Sequence, residues 1–124
     1  MNRFTDQGLD LEGIVGHPMN LLCQGEFDLQ LVFAVSNIQR FSIMSSLQLY
    51  EAGELLATWE GGSGWSALAY QKLLNAVPAS WRIVEPAILE IAYENGLVMH
   101  ILDDSDQYES VVIEFTDQPS VIVV

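Results

Sequence analysis

Apolar and polar side chains alternate along most of this chain, and the alternation has a period of two. Phe27, Leu29, Leu31 and Phe33 are interleaved with Asp28, Gln30 and Val32, the signature of a strand with one buried face. The same reading predicts strands over residues 19–24, 38–44, 47–50 and 55–59 in the first half. In the second half it predicts strands over residues 80–84, 88–93, 97–102, 111–115 and 121–124. Turn residues separate them, among them Gln24-Gly25-Glu26, Ser36-Asn37, Ala52-Gly53-Glu54 and Asn95-Gly96. Asn-Gly suits a two-residue hairpin because both residues tolerate positive φ.

One segment breaks the period. After the glycine-rich stretch 61–64, apolar residues fall at Trp65, Leu68, Ala69, Leu73 and Ala76. Spacings of three and four place these on one helical face. Val77-Pro78 then stops the helix, because the residue before a proline is pushed out of the helical region. The expected class is therefore α+β: a single domain over residues 1–124, mostly antiparallel sheet in two meander-like halves, with one main helix at 65–76 packed on it. A further helical turn is expected near residues 9–12.

The two halves invite comparison. Sixty residues apart, Pro18 matches Pro78, Leu29 matches Leu89, Leu31 matches Ile91 and Phe33 matches Tyr93. After a turn two residues shorter, Phe41 matches Met99, Ile43 matches Ile101, and Tyr50-Glu51 matches Tyr108-Glu109. An internal duplication would explain this, with residues 61–64 as the hinge. Two unrelated meanders would also align at many alternating positions.

Charge changes the picture more than size does. Of 124 residues, 17 are acidic and only Arg3, Arg40, Lys72 and Arg82 are basic, a net charge of −13. Phosphate backbones are bound by clusters of Lys and Arg, so nucleic acid is excluded as a partner. A basic protein is the complementary choice, since a one-signed field speeds encounter with the opposite sign. The apolar runs at 31–35 and 121–124 are far shorter than the ~20 residues of a membrane helix. No apolar h-region follows Arg3, so no signal peptide is read there, and a cytoplasmic location is expected. Cys23 is the single cysteine, which precludes an internal disulfide.

Candidate chemistry concentrates in residues 103–109, where Asp103, Asp104, Asp106 and Glu109 flank Tyr108. Clustered carboxylates suit a hard cation. An EF-hand counted from Asp103 needs Asp or Asn at its third and fifth positions and Gly at its sixth; the chain has Ser105, Gln107 and Tyr108, and only Glu114 at the twelfth agrees. A site built otherwise from Asp103, Asp104 and Asp106 stays open as the alternative. Cys23, His17 and His100 lack the spacing of a zinc site, and His100 reads as a sheet residue, so an enzyme is the third choice. Gly61-Gly62-Ser63-Gly64 lacks the Lys of a phosphate loop. Trp59, Trp65 and Trp81 read as core around the connector, with a wet interface as the alternative because Trp is enriched at binding hot spots. No cofactor is implied.

The run Leu-Asp-Asp-Ser-Asp-Gln-Tyr-Glu-Ser at 102–110, set between strands ending at Ile113, resembles a family of small acidic bacterial domains. In these a strand and an Asp-rich turn lead through Tyr-Glu-Ser into a closing hairpin. They look similar to immunity-type proteins of toxin systems, and the resemblance implies no catalytic residues. The expected function is a non-enzymatic module in which Asp103, Asp104, Asp106, Tyr108 and Glu109 engage a basic protein. A small-ligand or divalent-cation site in the same loop is the alternative. The closing apolar strand would also serve a homodimer.

Overall fold

Strands occupy most of the chain in the computed structural model, which describes residues 4, 8–25, 28–34, 36–60, 71–84, 88–103 and 111–123. Within these residues ten strands follow in order: β1 (Leu21–Gln24), β2 (Leu29–Val32), β3 (Ile38–Ile43), β4 (Ser46–Glu51), β5 (Glu54–Glu60), β6 (Pro78–Val84), β7 (Ile88–Tyr93), β8 (Leu97–Leu102), β9 (Val111–Phe115) and β10 (Val121–Val123). They form two five-stranded sheets, one ordered β1-β2-β3-β9-β10 and the other β5-β4-β8-β7-β6. Every neighbouring pair is antiparallel. The apolar faces of both sheets contribute to one core.

Each sheet combines the three-stranded meander of one half with the hairpin of the other. Exchanging β1 to β5 with β6 to β10 turns one sheet order into the other. The register agrees residue by residue. Leu29 pairs with Ile43 and Leu31 with Phe41, while Leu89 pairs with Ile101 and Ile91 with Met99. Short-range hydrogen bonds repeat as well. Val15 N–H donates to Glu12 O at 3.1 Å and His17 N–H to Ile14 O at 3.0 Å; 59 residues on, Leu74 N–H donates to Gln71 O at 3.2 Å and Ala76 N–H to Leu73 O at 3.1 Å. Across the halves, Gly16 N–H donates to Pro78 O at 2.9 Å and Asn75 N–H to Met19 O at 3.2 Å. These two bonds exchange under one approximate two-fold, as do the left-handed residues that make them, Gly16 (φ +84°) and Asn75 (φ +67°).

Three expectations are corrected by this geometry. The chain is not α+β: among the described residues no helix reaches seven residues. The main helix over 65–76 is replaced, where described, by a 3-10 turn at Gln71–Leu73; residues 65–70 lie outside the described residues. The spacing from Leu73 to Ala76 is three, which is the 3-10 period, and both side chains are buried as a helix would have buried them. Asn75, left-handed, ends the helical geometry at once. Secondly, the proline match was one residue out. Pro18 is exposed outside β1, whereas Pro78 is buried at the start of β6 and answers to Met19. Proline is tolerated there because β6 is an edge strand. Thirdly, Tyr50-Glu51 on β4 answers to Glu114-Phe115 on β9, not to Tyr108-Glu109, since Leu47 and Leu49 pair on β8 as Val111 and Ile113 pair on β3.

Candidate functional site

Two crossovers carry the chain between sheets. From β3 to β4 it takes two residues, Met44 and Ser45; from β8 to β9 it takes eight, 103–110. The register offset between halves grows accordingly, from 58 residues (Ile43 to Ile101) to 64 (Leu47 to Val111). The acidic stretch is therefore a six-residue insertion, 104–109, in a connection that the other half makes without it.

Asp103 is the one member of the candidate site within the described residues, and it is only 3% exposed. It stands one register step beyond the pair Ser46–Leu102, opposite Ser45, its two-fold counterpart. Ser45 and Ser46 are buried too, and the Ser45 hydroxyl has no hydrogen-bond partner among the described residues. Sequence reading passed over both serines, since isolated serines between strands look like ordinary turn residues. Asp104, Asp106, Tyr108 and Glu109 lie outside the described residues. Glu114, the one EF-hand match, sits on β9 and pairs with Arg40. No group of three potential metal ligands occurs among the described residues.

A second polar constellation lies on the outer face of the β5-β4-β8-β7-β6 sheet. Arg82, Glu90, His100, Gln48 and Thr58 are successive cross-strand partners in one row across all five strands. Arg82 ion-pairs with Glu90, His100 Nε2 lies 3.0 Å from Glu90 Oε1, and the Tyr50 ring packs at 5.0 Å on the His100 ring. Tyr50 O–H donates to Gln48 Oε1 at 2.8 Å. The hydrogen bond from Arg82 holds the Glu90 carboxyl below the usual carboxylate range; partial burial opposes this and His100 reinforces it. The signal was present in the sequence, because these residues occupy the outward positions of five alternating strands.

His100 is on β8 and Cys23 on β1, in different sheets. Trp59 is buried in the core; Trp81 is half-buried and its indole N–H donates to Glu12 Oε1 at 2.9 Å. Trp65 and residues 61–64 lie outside the described residues. Each described Arg or Lys is already matched: Arg40 with Glu114, Lys72 with Glu51 at 3.0 Å, and Arg82 with Glu90. The Arg40 pair raises the guanidinium further above its ordinary value.

No family model matches this chain, and neither a curated protein nor a solved structure matches it. Among the described residues, no helix is long and apolar enough to cross a membrane.

Proposed function

We propose that the chain is a non-enzymatic binding module whose acidic crossover engages a basic protein partner, in the manner of the immunity-type proteins its C-terminal run resembles. The observation that carries this reading is the insertion 104–109. The other half crosses between sheets in two residues, so closing the fold does not require these six, three of which are carboxylates. The charge balance supports it. The described cations are all engaged by carboxylates, which leaves the net −13 to act outward. Asp103 is buried at the root of the crossover, so on this reading the partner contact falls to Asp104, Asp106, Tyr108 and Glu109.

The test is affinity capture from the source organism with the intact chain and with an Asp104→Asn, Asp106→Asn, Glu109→Gln variant. A basic protein should be retained by the first, released by added salt as screened charge pairs are, and lost from the variant. A partner indifferent to salt and to the variant would refute the reading. Thermal shift with calcium, magnesium and manganese examines the cation alternative, because a bound ion raises the melting temperature. A rise that Asp106→Asn abolishes would replace the protein partner with a cation.

A further inference from the structure

The four sheet edges are not equally protected. An unpaired edge invites another strand, and proteins blunt edges with short strands, proline, bulges or positive charge. β1 has four residues and β10 three. β6 opens with Pro78, has a register shift between Pro78 and Ser80, and carries Arg82, which is 69% exposed. β5 is seven residues long and holds no Lys, Arg or Pro. Its one irregularity is confined to the hairpin end, where Leu49 pairs with Ala57 and Tyr50 with Leu55. Among the described residues it has a strand neighbour on one side only.

Its side chains differ from an inert edge as well. Leu55 is 52% and Leu56 38% exposed, two of the four large apolar residues so exposed among the described residues. Glu54 and Glu60 bound the strand, and Glu51 lies across the hairpin. Glu60, Ser46 and Leu102 form one cross-strand row, so the acidic crossover leaves the sheet two strands away, about 10 Å at ordinary strand spacing.

From this we infer that the β5 edge accepts an extended segment of the basic partner as an added strand, with a Lys or Arg side chain toward Glu54 and an apolar residue against Leu55. Strand addition draws affinity from main-chain hydrogen bonds and specificity from alternate side chains. A second copy of the chain is the wrong occupant. It carries the same net charge of −13 and has no Lys or Arg on its own β5, so pairing two such edges brings like charges together, which is destabilising. The inference rests on the acidic-module reading above and adds where and in what conformation the partner binds.

The probe is a synthetic ten-residue peptide of alternating Lys and Val, followed by fluorescence anisotropy at low salt, with a control peptide methylated on every backbone nitrogen. Methylation keeps the charges and removes the main-chain donors. The unmethylated peptide should bind and slow amide exchange in β5, binding should fall at least tenfold on methylation, and Glu54→Gln should weaken it several-fold. Equal binding of both peptides, or slowed exchange only at β1, β6 or β10, overturns the edge assignment while the acidic-module reading stands. Binding of neither peptide counts against both.

Discussion

The inner faces of the two sheets are near copies, and the outer faces are not. Inside, Leu29, Leu31, Phe41, Ile43, Val111, Ile113 and Val123 of one sheet answer to Leu89, Ile91, Met99, Ile101, Leu47, Leu49 and Trp59 of the other, and all are buried. Outside, the row Arg82, Glu90, His100, Gln48, Thr58 answers to Cys23, Gln30, Ser42, Val112, Ile122. Each outer face has one Arg–Glu ladder pair, but Arg40–Glu114 joins β3 to β9 and Arg82–Glu90 joins β6 to β7. Packing explains the contrast. A buried side chain must fill a fixed volume at native density, while an outward one answers only to solvent and to whatever binds. Divergence between the halves therefore marks the positions where the fold imposes least, and the six-residue insertion is the largest such divergence.

Truncating the matched core residues strikes hardest. Phe41→Ala and Met99→Ala remove counterparts that are both fully buried, and each should cost about 3 kcal/mol, within the range for large-to-small core changes. Urea denaturation gives both numbers, and a near-zero cost for one of them would break the equivalence of the two inner faces.

Deleting residues 104–109 tests the crossovers. It joins Asp103 to Ser110, the counterpart of Ser45-Ser46. The shortened chain should fold with the same far-ultraviolet spectrum and gain about 1 kcal/mol from the smaller loop-closure entropy. It should also lose the salt-sensitive partner. Failure to fold would mean the insertion is structural after all.

The smallest effect belongs to Glu90→Gln, which places on β7 the residue that β2 carries at the matched position, Gln30. The folded-state carboxyl of Glu90 is held low by Arg82, so its stabilisation is complete above the ordinary carboxylate value of about 4.3. It fades as pH falls through the lower folded value. The variant should thus be less stable than the native chain at neutral pH and converge with it in acid. Parallel stability-versus-pH curves would remove Glu90 from the account.

Much of the strand pattern was legible because alternation in a strand records which face is buried. The matches of Leu29 with Leu89 and Ile43 with Ile101 are those of the observed register. Where the anchor was a residue type with no face to declare, the alignment slipped: Pro18 for Met19, and Tyr108-Glu109 for Glu114-Phe115. The helix over 65–76 failed because a spacing of three between Leu73 and Ala76 satisfies a 3-10 turn as well as an α-helix. At the candidate site, the carboxylates were visible, but burial of Asp103 opposite Ser45 was not, since it depends on residues 58 apart meeting near the two-fold.

By itself, then, the sequence determined the sign of the charge, the period of the strands and which side of each faces inward, because all three are local properties of side chains in order. Tertiary structure alone decided that each sheet would be shared between the halves. Alternation says which face of β3 is apolar but is silent on whether β4 or β9 lies beside it. That choice is made when both apolar faces are buried together, and it gave the acidic loop a counterpart, the two-residue crossover at Met44 and Ser45, that lacks the insertion.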